Sequence, residues 1–507
     1  MKLLLLALTC WIQDPGAAAE PEPDLVILHF NDFHGQIQPR HVVRLPGRPP
    51  VEMGGLSTMA YQVERRRSDH GERLWVTNGG DWFQGTPEGN EDRGMGVMEG
   101  FNRLQLTASV LGNHEYDYGE RHLIELLATA THPILGANVM ERGSTKLRPY
   151  ARPYLIKTIR PRSAPADAEP ARIALVGFVT SDTPQVSTGP FGDAVFADEA
   201  ETLAALWPEL ERQADHVVLL THCGFAEDQE LARKFPQVAV ILGGHSHTSL
   251  LRPAIEGQTV IVQSGSKGTA LSEVRLSVRG DPPRLDLVGF DFIELETEDG
   301  ADPDVDEFVK DRFGALAARW DQPLGEIAGA ADVRRQAGST PAGNYVAQLM
   351  RDVVKADVGL TNKGGIRTTL RPGPITRRQV FEFLPFDNTV ALLELTGAQL
   401  RDVLAQGLVR GRRPLELAGA SYTYGVIGED RRLLEVAVGG APLELGRVYR
   451  VATNSFLAAG GDGCDVLASA RQLTETTQFL RDLMVDSLSV SGEITLVDEE
   501  RIRIRPQ

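Results

Sequence analysis

Five times in the first half of the chain, a short apolar run stops at a cluster of Gly, Asp, Asn or His residues. Leu25–Phe30 leads into Asn31-Asp32-Phe33-His34-Gly35, and residues 74–77 lead into Asn78-Gly79-Gly80-Asp81. Residues 109–111 precede Gly112-Asn113-His114-Glu115, and residues 216–220 precede Thr221-His222-Cys223-Gly224. Val238–Leu242 precedes Gly243-Gly244-His245-Ser246-His247-Thr248. Apolar runs this short, most of them rich in Val, Ile and Leu, predict strands buried on both faces. Residues 173–179, 260–263 and 273–278 predict further strands, and residues 120–130 and 201–213 carry helical periodicity. The alternation predicts an α/β sandwich. Loops beyond the carboxyl ends of strands in α/β folds converge on one cleft, so the five clusters are expected to meet.

The residue types in those clusters point to metal chemistry. Carboxylate oxygen, amide oxygen and imidazole nitrogen are the ligands that borderline divalent cations take. Glycines beside them let the backbone turn sharply and leave room for metal and substrate. A single Asp-x-His or His-x-His describes many ordinary turns. Five clusters in series, each directly after a strand, describe a site.

A composition shift at residues 294–306 separates this half from a second α/β unit. The expected organisation is a first domain over 24–294, a linker and connecting helix over 295–320, and a second domain over 321–507. Residues 1–19 read as an export signal: Lys2, a short apolar stretch, then Ala17-Ala18-Ala19 before an acidic, proline-rich segment. That stretch falls short of the ~20 apolar residues of a transmembrane span, and no other run reaches it. A periplasmic or extracellular location follows, with a lipid anchor at Cys10 as the lesser alternative. Without Cys10, only Cys223 and Cys464 remain, and two free thiols are expected. The net charge of -17 and the lack of a Lys/Arg stripe exclude a binder of long nucleic acid. A small phosphorylated substrate is compatible with that charge, because metals and a few arginines dominate locally.

The order Asp-x-His, Gly-Asp, Gly-Asn-His-Glu, a lone His and Gly-His-x-His resembles the calcineurin-like metallophosphoesterases. The fuller strings Leu28-His29-Phe30-Asn31-Asp32-Phe33-His34-Gly35 and Gly80-Asp81-Trp82-Phe83-Gln84-Gly85-Thr86-Pro87 resemble the 5′-nucleotidase/UDP-sugar hydrolase family within them. The resemblance implies a metallophosphoesterase domain followed by a substrate-binding domain. It implies two divalent cations of the zinc, manganese or cobalt class, one held by Asp32, His34 and His247 and the other by Asn113, His222 and His245, with Asp81 between them. His114 would reach the phosphoryl or leaving-group oxygen, and Asp117 would fix its tautomer. No role follows for Glu115.

In the second half, Asn362-Lys363-Gly364-Gly365-Ile366-Arg367, Leu384-Pro385-Phe386-Asp387-Asn388 and the segment around Phe456 and Asp462 resemble the family's substrate-binding domain. By that resemblance Arg367 grips a phosphate, Phe456 stacks on a base and Asp462 accepts hydrogen bonds from ribose hydroxyls. Arg371 and Asn388 are further candidates. The expected activity is hydrolysis of nucleoside 5′-monophosphates, or related nucleotides and nucleotide sugars, by metal-activated water. The alternative is a cyclic-nucleotide phosphodiesterase or a thiosulfohydrolase on the same scaffold. Two departures bear on the choice. Lys363 stands where the family has Gly, either solvated or adding a cation to the cleft. No aromatic lies between Asp387 and Tyr422, so a base would lose one stacking partner unless Leu415 or Leu417 takes its place.

Overall fold

The computed structural model describes residues 22–42, 50–165, 167–280, 282–329, 337–410, 412–428 and 430–506. The export segment and Cys10 lie outside the described residues. Among the described residues no helix is long and apolar enough to cross a membrane.

The first half is a sandwich of two six-stranded sheets. One runs Arg284–Glu294, Ala270–Arg279, Leu25–Phe30, Leu74–Asn78, Ala108–Val110, Ile134–Leu135. The other runs Ala254–Glu256, Thr259–Val262, Val238–Leu242, His216–His222, Ala171–Val179, Tyr154–Ile159. Both have parallel centres.

Side-chain alternation explains why these strands read as unbroken apolar runs. Leu25, Ile27 and Trp75 face the other sheet, where they meet Leu175, Val218 and Val240. Val26, Leu28 and Val76 point the opposite way, into a core closed by the helices Leu56–His70 and Met95–Leu104. Ala174, Val176 and Leu219 do the same on the far sheet, under the helices Glu199–Gln213 and Phe225–Lys234. A strand buried on both faces has no polar side to show.

The connecting element is not a free linker. Residue 294 ends a strand, and the helix Pro303–Trp320 buries Val305, Phe308, Val309 and Phe313 in the first domain's core. The second half centres on a five-stranded sheet, Glu416–Ala418, Val358–Thr361, Val448–Asn454, Val390–Thr396, Arg471–Glu475. A three-stranded and a four-stranded sheet flank it. The flanking strands are only partly buried, which is why their apolar pattern is weak. Arg378 of the second half joins the two by a paired hydrogen bond to the buried Glu88, at 2.6 and 2.7 Å. Cys223 and Cys464 are both free and buried.

Candidate metal centre and substrate cavity

The five strand-end clusters converge. Asp32, His34, Asp81 and His247 bring ligand atoms within 4.8 Å of one another, and so do Asp81, His222 and His245. Asp81 is common to both groups. Asn113 completes the second, with Oδ1 3.2 Å from His222 Nε2 and 3.0 Å from His245 Nδ1. The backbone is strained to achieve this. Asp32, His34, Asp81, His245 and His247 have φ of 50°, 51°, 55°, 75° and 55°. Non-glycine residues avoid that region unless the surrounding structure holds them there, and such strain collects at functional sites. Gly112 shows how tight the packing is: a Cβ there would sit 2.4 Å from Asp81 Oδ1.

The hydrogen bonds behind the ligands aim them inward. His34 Nδ1 donates to the Gln84 carbonyl at 2.8 Å, and His222 Nδ1 donates to the Gly79 carbonyl at 2.6 Å. The proton on Nδ1 leaves each Nε2 lone pair facing the cluster. His34 Nε2 then lies 2.9 Å from His247 Nε2, and His222 Nε2 lies 3.2 Å from Asp81 Oδ2. Asp32 Oδ1, fully buried, accepts no aligned hydrogen bond although His247 Nε2 is 3.2 Å away. Acceptors facing acceptors in a buried site need positive charge between them. Protonation supplies it at one position only. Burial opposes charge on His222, but Asp81 outweighs it and pushes the imidazole up to about 10. Burial pushes His245 down to about 3, and burial with His247 and Arg367 nearby holds His34 well below the usual histidine range. The donor set fits divalent cations.

His114 sits beside the cluster. Its backbone N–H donates to Asp81 Oδ1 at 3.0 Å, and its Nε2 lies 3.9 Å from Asp81 Oδ2. Its Nδ1 is 2.7 Å from Asp117 Oδ2. Burial disfavours the imidazolium, but Asp117 and Asp81 overcome it and raise the pKa above the ordinary value. Ser187 Oγ donates to Asp117 Oδ1 at 2.6 Å, which fixes the carboxylate in turn.

Three features escaped the sequence reading. Glu115, fully buried, accepts the backbone N–H groups of Asp81, Trp82 and Gly112 at 3.0, 2.7 and 2.6 Å. It therefore shapes the loop that carries Asp81, and burial then the Asp81 charge push its own carboxyl up to about 7. Phe386 stacks on His114 with centroids 5.4 Å apart, and Arg367 lies over the same ring at 5.7 Å. The short helix Thr183–Val186 and its flanks wall the cleft from the first domain, through Asp182, Gln185, Val186, Ser187 and Thr188. Phe386 stood in a quoted string but its register against His114 is set by the domain packing. The helix at 183–186 itself carries no ionisable residue that would mark it.

A cavity of about 550 Å³ runs from this cluster between the two halves. Arg367 reaches across, with Nη2 3.2 Å from His34 Nε2. Asn388, Phe456 and Asp462 line the far end. Phe456 lies flat against Gly461, where a Cβ would meet ring atoms at 2.4–2.6 Å. Asp462 has φ 52°, and its Oδ2 accepts from Asn362 Nδ2 at 2.7 Å. Arg371 does not join them; it is exposed and outside the lining. Leu415 lines the cavity, whereas Leu417 is sealed in the core and offers no face to a ligand. Lys363 is not solvated: its ammonium pairs with the fully buried Glu416 and donates to the Gly338 carbonyl at 2.8 Å.

A two-sheet α/β sandwich whose strand-end loops focus Asp, Asn and His on one cluster defines a metal-dependent phosphoesterase domain. Residues 25–249 match the calcineurin-like phosphoesterase family, and residues 321–469 match the family described as 5′-nucleotidase, C-terminal domain. The chain belongs to the 5′-nucleotidase family of metallophosphoesterases, which are hydrolases. The snake venom 5′-nucleotidase of Crotalus adamanteus is 28% identical over 92% of this chain and 86% of its own length. The trifunctional nucleotide phosphoesterase YfkN of Bacillus subtilis is 27% identical over 88% of this chain, which spans only 32% of YfkN. The structure of a 5′-nucleotidase precursor from Thermus thermophilus superposes with a TM-score of 0.84 at 26% identity, covering 95% of this chain and 99% of that one.

Proposed function

We propose that this chain is an exported hydrolase that releases phosphate from nucleoside 5′-monophosphates or related nucleotides, with two divalent cations as cofactor. The observation that carries the reading is the single cavity joining the Asp/His cluster and Arg367 to Phe456 and Asp462. Its lining suits a phosphate at one end and a base at the other. Asp32, His34 and His247 would hold one cation and Asn113, His222 and His245 the other, with Asp81 shared. When bound, such a pair supplies Lewis-acid charge that activates water and neutralises phosphoryl oxygens.

The chain's own groups do the rest. Arg367 offers a guanidinium fork to the phosphate oxygens. His114, protonated through its pairing with Asp117, presents Nε2–H to the phosphoryl or leaving oxygen. Phe386 covers the imidazole and keeps bulk water from it. Asp462 accepts from ribose hydroxyls, and Phe456 takes one face of the base, with Asn388 beside it. The small nucleotide and the location outside the cytoplasm are of one piece with the snake venom relative.

The test is phosphate release by metal-reconstituted protein from AMP, UDP-glucose, a cyclic nucleotide and glycerol phosphate, before and after chelation. Metal-dependent release favouring AMP or UDP-glucose is expected. Turnover of the cyclic ester alone, or equal turnover of every ester, would remove the nucleotidase reading and leave the phosphoesterase scaffold.

A further inference from the structure

The far end of the cavity is walled by positive charge. The second half contributes Lys363, Arg367, Arg410, Arg412 and Arg413 to the lining, and Asp462 is its only carboxylate there among the described residues. Lys363, Arg367 and Arg410 already have partners. Lys363 is paired with Glu416, and Arg367 reaches the metal cluster. Arg412 lies against the turn that carries Asp462, with Nη1 2.9 Å from the Gly463 carbonyl, an acceptor without charge. Arg413 is exposed to the cavity and has no hydrogen bond or ion pair from its side chain among the described residues. Its charge acts on both Asp462 and Arg367. In a chain of net charge -17, guanidinium groups that line a substrate cavity with no ion pair among the described residues are aimed at an anion that arrives with the ligand.

We infer that Arg412 and Arg413 form a second anion subsite, so that the preferred substrate is a nucleotide carrying a further phosphate on its ribose, distant from the phosphate that is hydrolysed. Selectivity then comes from charge beside the sugar as well as from stacking on the base. Arg412, fixed on Gly463, orients the group, and Arg413, free to swing, closes on it. This rests on the nucleotidase reading above.

The test uses the full-length, metal-reconstituted protein and compares KM for AMP and adenosine 3′,5′-bisphosphate in phosphate release. KM for the bisphosphate should be at least about tenfold lower than for AMP, the scale of one charge-assisted contact. Arg413→Ala should bring that ratio close to one, Arg413→Glu should invert it, and Arg413→Lys should keep most of it. Because Arg413 is exposed, these variants are expected to fold, and circular dichroism checks this. Equal KM values in the wild type would overturn the inference. So would an Arg413→Glu variant that raises KM for both alike, since the arginine would then serve the base or the common phosphate. The two readings fail differently: AMP that is hydrolysed with the same KM as the bisphosphate removes only the second subsite. AMP that does not turn over, while glycerol phosphate does, removes the nucleotidase reading as well.

Discussion

The two ends of the cavity are held by opposite means. At the cluster end, five ligands sit in left-handed backbone conformations, and hydrogen bonds from neighbouring loops tie the cluster in place. At the far end, among the described residues, Phe456, Asp462 and a group of long cationic side chains face the space. Histidine separates the ends too: all 11 lie before residue 250, and the second half has none. The rigid end suits chemistry, which needs atoms fixed to fractions of an ångström. The softer end suits selection among ligands, where arginine side chains can adapt. Strain is thus concentrated in the half that reacts.

The largest effect is expected at Asp81, common to both ligand groups. Asp81→Asn should lower kcat by about 10³-fold or more, since losing several kcal/mol of charge stabilisation costs tenfold per 1.36 kcal/mol. Metal content by mass spectrometry should fall with it. An active variant with full metal content would mean that the rigid end does not depend on its shared carboxylate. Next is His114→Asn, which leaves the cluster in place and removes the proton at Nε2. A general-acid contribution predicts a loss of roughly 10²–10³ in kcat with metal content unchanged. A loss confined to KM would move His114 from the reacting end to binding.

The cluster end was legible in the sequence because its rules are local. A strand buried on both faces, followed by Gly and then Asp, Asn or His, can be read within a few residues, as at Leu25–Phe30 and Asp32. Glu115 was opaque because its partners are backbone N–H groups, which leave no mark in a sequence. Lys363 stayed open between solvent and cleft because its partner, Glu416, lies 53 residues away, brought near by strand pairing of Thr361 with Glu416. Phe386 and Arg413 depend on how two domains or a loop face a cavity, and periodicity carries no such information. Arg371 sits four residues after Arg367, yet the segment between them is irregular, so their spacing implied no common face.

The histidine asymmetry predicts a difference in acid stability. Burial pushes His29 down to about 4, against the Gly243 carbonyl and Asp32, and burial alone takes His132 to about 4. Both are neutral when folded and regain an ordinary pKa of about 6.5 when unfolded. The unfolded chain therefore binds more protons between those values, so the stability they contribute is present above pH 6.5 and is lost as pH falls towards 4. The cost is roughly 2–3 kcal/mol for each histidine. It falls on the first half only. Urea unfolding at pH 7 and pH 5, followed by the fluorescence of the buried Trp75 and Trp82, should show an earlier midpoint at pH 5. Far-ultraviolet dichroism should then resolve a second transition, from the histidine-free half, that moves less. Equal shifts in both would break the contrast.

The smallest effect is expected at Phe456, and it probes the soft end alone. Phe456→Ala removes the one ring that lines the base end, and loss of a base–aromatic stack costs ~1–3 kcal/mol. The lower part of that range applies, because only one face of the base is covered here. KM for AMP should rise about tenfold while kcat stays within about threefold, since the substitution lies far from His114 and the ligand cluster. Glycerol phosphate, which has no base, should be hydrolysed by wild type and variant alike. Such a split would locate selection at the far end and reaction at the cluster. A fall in kcat for both esters would instead mean that the ring, packed on Gly461 beside Asp462, is needed to hold the two halves around the substrate, and that the soft end shares in the rigidity of the other.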